Sequence, residues 1–341
     1  MMVVMLESAT AEHVAHVIQR IEEVGASAHV SEGERVTVIG VIGDREQITA
    51  LPLEVMPGVD RVVAILKPYK LVSREFQQRD TVVNVRGVKI GGGHFCLMAG
   101  PCSVETPEQV MAAARAVKAA GGHMMRGGAF KPRTSPYAFQ GLGEEGLKML
   151  AAARDETGLP IVTEVMDPRD LELVADYADV LQVGARNTQN FLLLAELGRL
   201  GRPVLLKRGA STTIEELLMS AEYMVKEGNR DVILCERGIR TFETATRNTF
   251  DVSAVPVIKL ASHLPVVVDP SHSAGRLDLV PALSLAGVAA GADGVLVETH
   301  PNPEYALCDG PQSLPTAGFA EYAGHVLDLA RYMGKRSEEH T

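Results

Sequence analysis

The sequence predicts a (β/α)8 TIM barrel over residues 81–341, preceded by a small ferredoxin-like domain, and three observations carry this reading. Eight aliphatic strand candidates alternate with amphipathic helices over about 250 residues, the count and size of a closed barrel. The apolar content is high, 46%, but Trp is absent and aromatics make up 4%. A core built this way from Val, Leu, Ile and Ala suits parallel strands covered on both faces. The leading segment has a different order of elements, so it folds as a separate unit.

That unit spans residues 1–66. VVMLE (3–7) is an apolar strand, and residues 11–25 carry Val14, Val17, Ile18 and Ile21 at helical spacing before Gly25 stops the helix. ASAHVS (26–31) and RVTVIGVIG (35–43) are strands, DREQITAL (44–51) a short helix and DRVVAIL (60–66) a closing strand. The order βαββαβ is the split βαβ pattern. Residues 67–80, polar and basic, read as a linker.

Next comes TVVNVRGVKIGGG (81–93), a hairpin placed to plug the barrel bottom. The eight strands are HFCLMAG (94–100), GGHMMRGG (121–128), LPIVTEV (159–165), ADVLQVGAR (178–186), RPVLLKRG (202–209), DVILCERG (231–238), LPVVVDPSH (264–272) and ADGVLVETH (292–300). Helical stretches such as 107–121 and 213–228 lie between them. A doubly wound open sheet is the competing architecture. It rarely needs eight such regular strands, and the G-x-G-x-x-G turn after the first strand is missing.

The net charge of −10 argues against a phosphate backbone as partner, so no nucleic acid is expected. No apolar run reaches the ~18–20 residues that cross a bilayer, and the N-terminus lacks a signal-peptide pattern. Four cysteines are too few for a disulfide framework in a chain of 341 residues, so the expected compartment is the reducing cytoplasm.

Barrels work at the C-terminal ends of their strands. Five cations, Arg126, Lys131, Arg186, Lys207 and Arg237, fall there. On an acidic protein such a cluster repels itself unless anions sit in it, and at least two anionic groups are inferred. The competing reading, a structural ion-pair network, fits one or two of the five. Cys102, His272, Glu298 and Asp309 also fall on strand ends or the loops just beyond. Each alone is unremarkable for its type. Together, on strands one, seven and eight, they read as the ligands of one divalent metal ion, and the mixed soft and hard set leaves Mn, Fe, Co, Zn and Cu open. Lys131-Pro132-Arg133-Thr134-Ser135 reads as a stiff loop clamping a phosphate with Arg133, Thr134, Ser135 and backbone N–H groups.

AGPCSVE (99–105), MRGGAFKPRTSPYAFQG (125–141), QVGARN (182–187), LLKRG (205–209), CERGIRTFE (235–243) and VDPSHSAGR (268–276) resemble the 3-deoxy-D-arabino-heptulosonate 7-phosphate (DAHP) synthases, across the whole barrel. The leading unit and KPYKLVSREF (67–76) resemble the branch with a ferredoxin-like regulatory domain. The resemblance implies a metal-dependent condensation of phosphoenolpyruvate with erythrose 4-phosphate and water, the first step of the shikimate pathway to aromatic amino acids. It implies that Arg186 and Arg237 hold the phosphoenolpyruvate phosphate. Arg126, Lys131 and Lys207 would hold its carboxylate, and Arg133, Thr134 and Ser135, with Arg276, the second phosphate. Cys102 and His272 would act through the metal, with Lys131 as a proton donor whose pKa burial among arginines lowers. The branch also implies a homotetramer and feedback control by an aromatic amino acid. His29 and Ser31, at period-two spacing on a strand near an edge, are the candidate effector contacts.

Two rival functions differ in class or substrate. One is 3-deoxy-octulosonate 8-phosphate synthase, a sister enzyme using arabinose 5-phosphate, whose longer sugar needs room that the KPRTS loop denies. The other is an amino-acid sensor with a vestigial barrel, which would show no metal-dependent turnover.

Overall fold

The computed structural model describes residues 1–33, 36–63, 68–132, 135 and 137–337. The chain divides into two compact units. One comprises residues 1–80 with 260–263; the other comprises residues 81–259 and 264–341.

In the first unit β1 (Met2–Met5), β2 (Ser27–Glu32), β3 (Thr37–Ile42) and β4 (Val59–Val63) form an antiparallel sheet in the order β2-β3-β1-β4. Helix α1 (Ala11–Glu22) starts at Thr10, whose hydroxyl accepts from the His13 N–H while the His13 side chain answers the Thr10 N–H. It buries Val17 and Ile21 with Val3, Met5, Ile39 and Val41 of the sheet. A second short helix, α2, spans Arg45–Thr49. This is the ferredoxin-like arrangement read from the sequence. Residues 68–80, read there as a linker, bury Tyr69, Leu71, Val72, Ser73 and Phe76. They group with this unit, where the Arg74 N–H donates to the Ala261 carbonyl at 2.9 Å.

In the second unit a hairpin, β5 (Val83–Val85) and β6 (Val88–Ile90), precedes eight parallel strands: β7 (Cys96–Gly100), β8 (Met124–Arg126), β9 (Ile161–Val165), β10 (Val180–Val183), β11 (Val204–Lys207), β12 (Val232–Glu236), β13 (Val266–Val268) and β14 (Gly294–His300). Each pairs with the next, and β14 pairs with both β13 and β7, so the sheet closes on itself. All eight strands lie within the segments expected from the sequence.

Period two decides what fills the barrel. Met98, Met124, Val162, Val180, Leu205, Cys235, Val267 and Leu296, one from each strand, form one buried cluster with Val83, Val85, Val88 and Ile90 of the hairpin. The hairpin thus packs against the barrel interior as a plug. Two residues further along each strand, the same inward face reads Gly100, Arg126, Glu164, Gln182, Lys207, Arg237, Asp269 and Glu298. The apolar plug and the polar mouth are successive layers of one alternation. The outward neighbours behave differently. Arg208 and Glu236 pair at 2.9 Å in the wall, with Asp251 2.8 Å from the same guanidinium nitrogen.

Candidate active site at the mouth of the barrel

Cys102, His272, Glu298 and Asp309 converge. One ligand atom from each lies within 4.8 Å of all the others. Cys102 follows β7, and Glu298 sits on β14. His272 lies in the one-turn helix Pro270–Ala274 just after β13, and Asp309 in the loop after β14, with φ +52. Sγ of Cys102 is 3.2 Å from Oδ2 of Asp309, and Nε2 of His272 is 3.4 Å from Oε1 of Glu298. A thiol, an imidazole and two carboxylates so close fit one divalent cation, whose charge would offset the two acids. Asp269 backs the imidazole: Oδ1 accepts the His272 backbone N–H at 3.0 Å and Oδ2 lies 2.7 Å from Nδ1, a close charge contact outside hydrogen-bond geometry, while Nε2 is near Glu298 and Asp309 of the cluster.

The environment of each group explains its titration. Burial pushes the Glu298 carboxyl up to about 7, with the neighbouring Cys102 adding to it. The Cys102 thiol is raised well above its usual range by its contact with Cys308, 3.3 Å away, and by burial. Burial lowers His272. Asp309 is pushed up by burial but held below the ordinary carboxylate range by His272 and Arg247.

The five expected cations all line one cavity of about 560 Å³ beside this cluster, which Asp309 and His272 also border. Arg126 is buried; one guanidinium nitrogen donates to the Pro101 carbonyl at 2.8 Å and to Oε1 of Glu298 at 3.2 Å, while its Nε has no partner among the described residues. Gly100 makes this possible, because a Cβ there would fall 1.9 Å from the Arg126 carbonyl oxygen. Nζ of Lys131 donates to the Cys102 carbonyl at 2.7 Å and lies 3.2 Å from Sγ. Lys207 pairs with Asp269 at 2.5 Å. Among the described residues the side chains of Arg186 and Arg237 donate only to backbone carbonyls. So two of the five pair with carboxylates, and a structural ion network does not account for the rest. One expectation fails on charge. Burial does push the Lys131 pKa down, but Cys102, Cys308 and Glu298 around it outweigh burial and the net shift is upward.

Ser135 and Pro132 line the cavity, whereas Arg133 and Thr134 lie outside the described residues. Arg276 is not brought to the cavity; it is exposed and pairs with Asp278 at 2.6 Å. In its vicinity the structure supplies two arginines the sequence reading passed over, Arg240 and Arg247, from the loop after β12. With them, seven cationic side chains line the cavity among the described residues, against the carboxylates of Glu164 and Asp309. On a chain of net charge −10 this is a local inversion of sign, the electrostatic signature of an anion site. The two arginines lie on an irregular loop, so no periodicity marks them. Their only sequence signal is basic residues following a strand that already ends in Arg237.

A closed parallel barrel with titratable side chains gathered at its C-terminal mouth, in a basic cavity, defines the class: a (β/α)8-barrel enzyme handling small anions. Residues 74–333 match the DAHP synthetase I family, and residues 1–67 match the DAHP synthase ferredoxin-like domain. A phospho-2-dehydro-3-deoxyheptonate aldolase from Thermotoga maritima is 53% identical over 334 residues, 98% of this chain and 99% of that protein. The crystal structure of the Thermotoga maritima DAHP synthase superposes with a TM-score of 0.78 at 51% identity, covering 99% of both chains. A 2-dehydro-3-deoxyphosphooctonate aldolase from Syntrophotalea carbinolica is more distant, 34% identical over 68% of this chain and 90% of its own length. The chain belongs to the DAHP synthetase I family and is a transferase carrying a ferredoxin-like N-terminal domain. No helix among the described residues is long and apolar enough to cross a membrane.

Proposed function

We propose that the chain condenses phosphoenolpyruvate with erythrose 4-phosphate and water, giving DAHP and inorganic phosphate, with one divalent ion held by Cys102, His272, Glu298 and Asp309. The observation that carries this reading is the meeting of that four-ligand cluster with the cationic cavity at one mouth. When bound, the ion supplies Lewis acidity toward the aldehyde oxygen of the sugar.

Arg186 and Arg237, whose guanidinium groups lack carboxylate partners among the described residues, hold the phosphate of phosphoenolpyruvate. Arg126, Lys131 and Lys207 hold its carboxylate and line its reacting face. C3 of phosphoenolpyruvate attacks the aldehyde carbon. Water adds to C2, and phosphate departs with C–O cleavage. Lys131, its Nζ 3.2 Å from Sγ of Cys102, is the group placed to donate a proton to the new hydroxyl. Ser135, with Arg133 and Thr134, holds the phosphate of the four-carbon sugar; Arg240, which lines the cavity, takes the place expected of Arg276.

The test is turnover with phosphoenolpyruvate and each aldose phosphate, with and without EDTA. Turnover with erythrose 4-phosphate, lost in EDTA and restored by Mn, Fe, Co, Zn or Cu, is expected. Preference for arabinose 5-phosphate would transfer the chain to the sister activity. Turnover unaffected by chelation would remove the metal.

The N-terminal unit supports feedback control by an aromatic amino acid. His29 and Ser31 lie opposite Gly40 and Val38 on β2, an edge strand, and share one face. A ligand held between such edges of paired subunits would need the homotetramer implied by the family branch. Tyrosine or phenylalanine should inhibit the full chain and not a chain beginning at Lys67. Equal inhibition of both, or of neither, removes the proposal.

A further inference from the structure

We propose that Gln312 is a positioning residue for the ion centre, acting with Arg247 as a clamp that turns both carboxylate ligands toward the ion; this rests on the metal reading above. Each carboxylate has one oxygen facing the cluster and one facing away. The inward ones are Oε1 of Glu298 and Oδ2 of Asp309, which lie 3.4 and 3.9 Å from Nε2 of His272. The outward ones are held. Nε2 of Gln312 donates to Oε2 of Glu298 at 2.6 Å. One guanidinium nitrogen of Arg247 lies 3.3 Å from Oδ1 of Asp309 and donates to Oε1 of Gln312 at 3.1 Å. The chain Glu298–Gln312–Arg247–Asp309 therefore ties together the two carboxylate oxygens that do not face His272.

The chemistry of residue 312 is constrained from both ends. It must give a hydrogen to a carboxylate and accept one from a guanidinium, which a primary amide does and a carboxylate or alkyl group does not. Gln312 is 2% exposed, so no water substitutes for either bond at low cost. Its backbone N–H also donates to the Asp309 carbonyl at 3.2 Å, bracing a ligand residue that adopts φ +52. Groups that orient metal ligands from behind typically matter about 10–100-fold in metal affinity.

The experiment strips the full-length protein with a chelator and titrates it with Mn²⁺, following free Mn²⁺ by electron paramagnetic resonance. The parent is expected to bind one ion per chain. A parent that binds none defeats the metal reading itself, which separates that failure from failure of the clamp. Gln312→Met, close in size but unable to donate, is expected to raise the Mn²⁺ Kd about 10–100-fold and, by leaving a buried carboxylate oxygen unpaired, to lower the melting temperature of the metal-free protein as well. A residue that only fills space would move the second quantity and not the first. Arg247→Met is expected to weaken binding, and Arg247→Lys to recover part of the loss. A folded Gln312→Met protein with a Kd within twofold of the parent overturns the proposal. Should that variant not fold, Arg247→Met, at a half-exposed side chain, decides by the same criterion.

Discussion

Asp269 touches neither cavity wall nor substrate by the assignments above, yet two groups of the site depend on it. It is fully buried, and His272 and Lys207 hold its carboxyl well below the usual range despite that burial. Asp269→Asn leaves Lys207 without a counter-charge and offers Nδ1 of His272 an amide. Metal affinity is expected to fall about 10–100-fold, measured by the same Mn²⁺ titration. Lys131→Met separates two roles on one side chain. If Lys131 only holds the carboxylate, KM for phosphoenolpyruvate rises and kcat survives. If it moves a proton, kcat falls by about 10²–10⁴-fold, the outcome expected here. At this scale the sequence was legible where residue type and strand position agreed. The four candidate ligands and the five cations sit on strand ends or in the loops that follow them, and all reach one mouth. Gln312, Arg240, Arg247 and the non-participation of Arg276 were not legible. They lie in loops, where no period fixes which way a side chain turns, and Arg276 has an exposed acid two residues away that satisfies it.

Strands and loops differ in how much of their geometry is written into residue order. Inward-facing residues two apart form the plug layer and then the mouth layer, so an alternating count from Val267 to Asp269 or from Leu205 to Lys207 locates the site without coordinates. The loop after β8 shows the limit. Gly141 has φ +94, and a Cβ there would lie 2.1 Å from the Ala129 carbonyl oxygen, so only glycine closes the stretch that carries Lys131 and Ser135. Gly141→Ala is expected to cost about 1–3 kcal/mol of stability and to weaken sugar-phosphate binding, read by denaturant unfolding and by KM. At the opposite end of the barrel Asp293, also fully buried, binds Lys259 at 2.8 Å and Lys335 at 2.6 Å and accepts the Val266 N–H at 3.0 Å. It joins the start of β14 to the helix before β13 and to the C-terminal segment. Asp293→Ala should cost about 3 kcal/mol by unfolding, with KM values unchanged, because the ion cluster is remote from the mouth.

The molecule as a whole folds as two units with separate cores, and the boundary between them is not where polarity alone would put it. Residues 67–80 look like a linker because Lys, Arg, Gln and Asp dominate the count. Their apolar minority decides the packing: Tyr69, Leu71, Val72 and Phe76 are buried. Phe76 approaches Gly40 of β3 so closely that a Cβ on that glycine would lie 2.7 Å from its ring. Ser73 bridges Ser262, and the Leu71 carbonyl lies 2.8 Å from Nε2 of His263. Residues 261–263 thus share hydrogen bonds with a segment that precedes the barrel in sequence. Two truncations distinguish a spacer from a packed segment. A chain beginning at Lys67 retains the partners of Ser262 and His263, and its melting temperature should exceed that of a chain beginning at Thr81. The second truncation removes these bonds together with the apolar contacts of Tyr69, Leu71, Val72 and Phe76, and a lost bond at a buried polar group costs about 1–3 kcal/mol. Equal melting temperatures for the two would show that residues 67–80 are a spacer after all. Turnover per folded molecule should be the same in both, since every ligand and cation assigned to the mouth lies in residues 81–341.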